Sequence, residues 1–250
     1  MARAAETVSQ NHLLARMSSG DRALLQPSLK SVDLPVQHVL EEPNKRIDYV
    51  YFFESGITSF VALSAKHHKI EVGIVGREGM SSPAIVLGSD RSPTENFIQI
   101  AGRGQRIPSG DLVAAMRKSD SLQLLLLQFA QSFLVQTAHT ALANGRAKLE
   151  ERLARWILMA HDRVDGNQVL LTHEFLALML GVRRPGVTVA LHILEGNGLI
   201  RSTRGTIDIL DREGLVEQCD GIYGIPEAEC ERLTGWRSPH TNRTPQNAAR

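Results

Sequence analysis

The pattern of hydrophobic and polar positions changes character twice along the chain. From Val36 to Ile107 the apolar residues come in short runs: Val39-Leu40, Tyr49-Val50-Tyr51-Phe52-Phe53, Ile57 to Leu63, Ile70 to Val75 and Phe97 to Ile100. β-branched and aromatic residues dominate them, and these pack well on a pleated surface. Gly56, Gly73, Gly76, Gly79, Gly88, Gly102 and Gly104 punctuate the runs and read as turns. Many short strands with glycine turns predict a β-roll of the jelly-roll kind.

Helical spacing then takes over. Ser109 reads as an N-cap, followed by Leu112, Ala115 and Met116 at i, i+3 and i+4. Ser119-Asp120-Ser121 breaks the pattern and opens a second helix reaching about Gly145, roughly 37 Å long at 1.5 Å per residue. Leu122, Leu125, Leu126, Phe129 and Phe133 make one stripe on it, while Leu124, Leu127, Leu134 and Val135 lie on other faces. A helix apolar on more than one face must be covered on more than one face. Its own β domain is one expected cover and a second copy of the chain the other, with Leu125, Phe129 and Phe133 expected to matter for pairing. The competing reading is a helix buried within a monomer. A further helix is predicted over Leu149 to Ala160, then a turn at Asp165-Gly166-Asn167 and a short strand from Val169.

The stretch Thr172 to Leu194 says most about function. Thr172 is a good N-cap, and a short helix carries Phe175, Leu176, Met179 and Leu180. Gly181 supplies the left-handed turn, and a second helix carries Val187, Ala190, Leu191 and Leu194. Gly196 and Gly198 end that helix, and Ile200 to Ile209 reads strand–turn–strand. This is a helix-turn-helix with a wing. Arg183 and Arg184 open the second helix, Thr188 lies one turn on, and Arg201 and Arg204 are expected at the wing tip. Such residues suit a duplex: the helix enters the major groove while wing arginines hold phosphate.

Composition narrows this reading. Net charge is +1 over 250 residues, so a DNA footprint has to be local. Two cysteines, Cys219 and Cys230, exclude a disulfide framework and a four-thiolate iron–sulfur cluster within one chain. They fit a reducing cytoplasm and are expected to be packing residues. No secretory signal or membrane span is expected. Arg237 to Arg250 has few apolar residues and reads as a disordered tail. An enzyme on a cupin-like roll would need a His-x-His metal cluster, which the β segment lacks; His67 and His68 are adjacent and His38 stands apart. No cofactor is expected. A ligand-binding module whose helix-turn-helix makes protein contacts is the alternative to a DNA-binding regulator.

Three segments together resemble the Crp/Fnr family of transcription regulators. They are Asp48 to Gly56, Glu151 to Trp156, and Leu171 to Thr188 with its Gly181-Val182-Arg183-Arg184-Pro185-Gly186-Val187 core. The resemblance runs from about Asn11 to Leu215. It implies a homodimer on the long helix, a pseudo-palindromic site in double-stranded DNA and contact with RNA polymerase. It implies that Arg184 reads guanine. Where relatives carry a glutamate and an arginine in the reading set, this chain has Pro185 and Val189, which implies a different half-site. Relatives that bind cyclic nucleotides keep a glutamate ten residues before Arg-Ser; here Ser81 stands before Arg91-Ser92, with Glu78 out of register and Thr137 at the helix position that meets the purine. Cyclic AMP is therefore not expected as the effector, although another small effector is allowed. The expected division is an N-terminal arm (1–20), a β-roll sensor (21–108), dimerisation helices (109–147), a winged helix-turn-helix (148–212) and an extension with a disordered tail (213–250).

Overall fold

A computed structural model of the chain describes residues 9–240. Two short helices, α1 (His12–Arg16) and α2 (Ser19–Leu25), precede seven strands: β1 (Lys30–Leu34), β2 (Val39–Glu41), β3 (Tyr49–Phe53), β4 (Ile57–Leu63), β5 (Lys69–Val75), β6 (Glu95–Ile100) and β7 (Gly102–Pro108). One-turn α3 (Pro83–Val86) sits between β5 and β6. The strands form two antiparallel sheets, ordered β1-β7-β3 and β2-β6-β4-β5. Next come α4 (Ser109–Met116), α5 (Asp120–Arg146) and α6 (Leu149–His161). Then follow β8 (Gln168–Leu170), α7 (His173–Leu180), α8 (Arg184–Gly196), β9 (Ile200–Thr203) and β10 (Thr206–Ile209), with β8, β10 and β9 in one small sheet. Two more helices, α9 (Arg212–Gln218) and α10 (Ile225–Thr234), complete the order.

The β-roll and long helix match the sequence expectation, with four local corrections. Leu13, Leu14 and Met17 are buried in the same core as Phe52 and Phe53, so the described part of the expected arm is core. Gly73 lies inside β5, and Gly102 and Gly104 inside β7, rather than in turns. A Cβ on Gly104 would collide with the Phe52 carbonyl, because the paired backbones of β3 and β7 close up there. Ser109 is the first helical residue rather than the cap, and its hydroxyl donates to the Ile47 carbonyl at 2.7 Å. Finally, Phe129 is buried and the Phe133 ring packs on Phe60 at 4.5 Å, so both face the chain's own β-roll rather than a partner. The hydroxyl of Ser119 caps α5 by accepting from the Leu122 amide at 3.2 Å.

A different line of α5 is left bare. Leu124, Leu127, Gln131, Leu134, Ala138 and Leu142 are all exposed, and the four leucines keep between 37% and 58% of their accessible surface. Their spacing of three and four residues is that of a coiled-coil seam.

The core divides in two. One part lies inside the roll and includes α1, α4 and the inner face of α5. The other joins the outer face of β4, β5 and β6 (Ile57, Val61, Ile74, Phe97, Ile100) to α6, α7, α8, the small sheet and α9. The helix-turn-helix is thus docked on its own β-roll through shared apolar burial, with Phe97 and Phe175 rings stacked at 6.4 Å. The extension closes over this arrangement. Helix α10 packs along α5, Trp236 is buried with the Arg163 guanidinium 5.6 Å from its ring centroid, and the His161 and His240 rings stack at 3.8 Å. Of residues 237–240, expected to be disordered, Ser238 is buried and His240 stacks, while Arg237 and Pro239 are exposed. The anchors are a tryptophan just before the stretch and one stacking histidine, which average composition conceals. The remainder of that stretch, residues 241–250, lies outside the described residues. Among the described residues no single helix is long and apolar enough to cross a membrane.

Candidate nucleic-acid interface

The site is built on α7, α8 and the wing. Thr172 stands at the N-cap of α7, where its exposed hydroxyl accepts from the Phe175 amide at 3.3 Å. Gly181 ends α7 at φ +62°, a left-handed conformation glycine adopts without cost, and the chain turns into α8. Arg183 is the N-cap of α8, Arg184 its first residue, and Pro185 falls in the first turn, where a missing amide proton is harmless. Val187, Ala190, Leu191 and Leu194 are buried and fix the rotation of the helix about its axis. At 100° per residue, Pro185, Val189 and His192 then point away from that buried line, and all three are exposed.

The wing is the β9–β10 hairpin, closed by Gly205 at φ +78°. A carboxylate oxygen of Glu195 accepts from the Ser202 amide at 2.6 Å, which ties the wing to α8. Between helix and wing lies an open groove of about 640 Å³, lined among others by Thr172, Arg184, Thr188, His192 and Arg204.

The structure brings together only part of the expected set. Arg184 and Arg204 both line the groove; Arg183 is exposed but does not line it. Arg201 is not at the tip: it lies on β9 opposite Asp208, one register step from the root of the hairpin. Thr188 directs its hydroxyl to the Arg184 carbonyl at 3.2 Å and stands 3.5 Å from Nδ1 of His173. Among the groove residues outside the expected set are His173, Glu174 and His192. His192 continues the row Arg184, Thr188 at a spacing of four, so helical periodicity alone identifies it. Glu174 is the more consequential. Its carboxylate pairs with the Arg184 guanidinium at 2.6 Å, with both side chains solvent-exposed.

Most residues of the expected effector pocket are hydrogen-bonded within the chain, while Arg91 stays exposed. Ser81 is fully buried, its hydroxyl accepting from the Tyr51 amide at 3.0 Å and lying 3.0 Å from that of Ser82. Ser82 donates in turn to the Glu41 carboxylate at 2.6 Å. Burial pushes the Glu41 carboxyl above its usual range, against the pull of Ser82 and Asn96. Arg91 is exposed and pairs with neighbouring Asp90 at 3.4 Å; the Ser92 hydroxyl lies 2.6 Å from that of Thr94. Thr137 donates to the Phe133 carbonyl at 3.0 Å. Glu78, the substitute acceptor, is buried and paired with Arg163 at 2.7 Å. The void between this loop, α5 and α10 is about 20 Å³, room for one water. Burial pushes the Cys219 thiol up to about 12 and the Cys230 thiol to about 11, as expected of packing residues. Among the described residues no group of three or more His, Cys, Asp or Glu side chains is placed to hold a metal ion.

Comparison with known proteins agrees with this geometry. The Crp-like helix-turn-helix domain family matches residues 151–218. No curated protein sequence matches the chain. Among solved structures, a transcriptional regulator assigned to the Crp/Fnr family from Eubacterium rectale superposes with a TM-score of 0.66 at 18% identity, over 84% of this chain and 98% of that one. FixK2 from Bradyrhizobium japonicum gives 0.65 at 16% identity, over 76% and 96%. The c-di-GMP-responsive regulator CLP from Xanthomonas campestris gives 0.60 at 16%, over 77% and 99%. Residues 151–218 match the Crp-like helix-turn-helix domain family, and the chain that carries them has the fold seen in solved Crp/Fnr transcription regulators.

Proposed function

We propose that the chain regulates transcription as a homodimer that reads a pseudo-palindromic site in double-stranded DNA, without cyclic AMP. The observation that carries this reading is the open groove between α8 and the wing, with Arg184 at the start of the helix and Arg204 at the wing tip. Arg184 reads a base edge, since a guanidinium matches the two acceptors of guanine. Arg204, Arg201 and Arg183 hold phosphate, and Thr172, at a helix N-terminus, adds a hydroxyl and backbone amides to a neighbouring phosphate.

The bare leucine seam of α5 supports the homodimer. An apolar heptad line facing water is stabilised when a second copy covers it, and two copies of α5 carry their recognition helices to successive major grooves. The protein works in the cytoplasm with no catalytic step and meets RNA polymerase at the promoter. Cyclic AMP is left out of the reading because the Ser81, Glu78 and Thr137 side chains are hydrogen-bonded within the chain. Selection of duplexes from a random library by the full-length chain tests the proposal. Two inverted half-sites about one helical turn apart, roughly 34 Å, are expected; a single unrepeated motif, or none, rules it out.

A further inference from the structure

The outward face of α8 is split into two rows. Arg184, Thr188 and His192 form a polar row that lines the groove beside the wing. Pro185, Val189 and Ile193 form an apolar row next to it, again at a spacing of four. Val189 keeps 59% of its surface and Ile193 39%, and Pro185 is also exposed. Neither core cluster includes Val189, although the buried line of the same helix is complete with Val187, Ala190, Leu191 and Leu194. The exposed valine is therefore not a packing residue of the described chain.

In a major groove, one base-edge group answers to such a side chain. Adenine, guanine and cytosine present hydrogen-bonding atoms there, and thymine adds a 5-methyl group that makes apolar contact. A β-branched side chain held by a helix has essentially one rotamer and loses little entropy on touching a methyl. Pro185, one turn earlier, has no side-chain donor or acceptor and cannot compensate a cytosine amine or a guanine carbonyl. Hydrogen-bonding edges placed against this row lose their water without gaining a partner, which discriminates against them as well as favouring thymine.

We propose that Val189, flanked by Pro185, is a specificity-determining residue that selects thymine through its 5-methyl group at the half-site position next to the base read by Arg184. The inference rests on the DNA-binding reading above, and its test separates the two. Duplexes selected by the full-length chain are remade with deoxyuridine in place of each half-site thymine in turn, which deletes the methyl and leaves base pairing unchanged. At one position the wild type should lose about threefold to fivefold in affinity per half-site, the usual worth of one buried methyl. Val189→Ala should lose the same factor on the thymine duplex and show no thymine–uracil difference there. Val189→Ile should retain the discrimination. The substituted residue is exposed, so these variants fold. Equal wild-type binding to thymine and deoxyuridine duplexes overturns the proposal, and so does full discrimination by Val189→Ala. Failure to enrich any duplex overturns the DNA-binding reading itself.

Discussion

The indole N–H of Trp156 donates a 2.6 Å hydrogen bond to the carboxyl of Glu71, joining α6 of the helix-turn-helix domain to β5 of the roll. The Ser59 hydroxyl donates to the other oxygen at 2.5 Å, and the carboxyl is completely buried in the shared core. Burial pushes it up to about 8, against the opposing pull of Ser59, Trp156 and the more distant Arg155 and Arg163. The carboxyl is thus held as the neutral acid across the joint between the two halves.

This joint makes stability fall with pH. A raised acid binds its proton in the folded state where the unfolded chain, with a value near 4.5, has lost it. Its contribution is complete below about 4.5 and is lost as pH rises to about 8. His161 opposes it: burial, His240 and Arg212 lower it from 6.5 to about 4, so its contribution grows from about 4 to 6.5. The two slopes offset each other up to pH 6.5; above it the raised acids remain, Glu71 together with Glu41 and Glu227, whose carboxyls burial also pushes up. Urea unfolding from pH 6.5 to 8 should lose stability at up to about 1.4 kcal/mol per pH unit through Glu71, and Glu71→Gln should flatten the slope. An unchanged slope in the variant assigns the effect elsewhere.

The dimer prediction turns on which face of α5 is altered. Leu127→Glu with Leu134→Glu should give a folded monomer in sedimentation, with lost DNA affinity, because both leucines face water in the single chain. Phe129→Ala should instead destabilise the fold by about 3–5 kcal/mol, as for other buried phenylalanines. A dimer that survives the double leucine substitution contradicts the seam.

That difference shows what the sequence made legible. Hydrophobic period alone revealed the roll, the long helix, the helix-turn-helix and the wing. Period also showed that α5 is apolar on several faces, but both kinds of face are leucine-rich, and only packing against β4 and β5 tells the inner stripe from the outer. Gly104 read as a turn because a close approach between strands leaves the same residue type. β1 escaped because Val32 and Leu34 are its only apolar residues. At the site, Arg184, Thr188 and Arg204 were legible from helix and hairpin spacing. Arg201 was misplaced, lying two register steps below the Thr203–Thr206 pair that closes the hairpin, and Glu174 was invisible because its pairing with Arg184 crosses the turn at Gly181.

The C-terminal extension is structural. Trp236 is buried between α10 and Arg163, and Thr234 accepts hydrogen bonds from His12 and Arg16 through its carbonyl. Trp236→Ala should cost about 3 kcal/mol or more in urea unfolding. A variant as stable as wild type removes the extension from the core.

Cyclic AMP should leave both halves of the account untouched. Calorimetry on the full-length chain should detect no micromolar binding, and DNA affinity should be the same with and without the nucleotide. Micromolar binding with a large gain in DNA affinity contradicts the cyclic-AMP-free reading.

The most direct test of the central claim is the salt dependence of DNA binding by the wild-type dimer beside Arg204→Ala and Arg184→Ala. The proposed reading puts Arg204 on phosphate and Arg184 on a base, twice per dimer. The plot of log affinity against log salt should fall with a slope of about −4 or steeper, from four or more phosphate contacts. Arg204→Ala should make that slope shallower by about 2 on every duplex. Arg184→Ala should cost about 1–3 kcal/mol on the selected duplex and little on random DNA. A slope near zero, or equal losses on selected and random DNA for Arg184→Ala, would contradict the assignment of this groove to DNA reading.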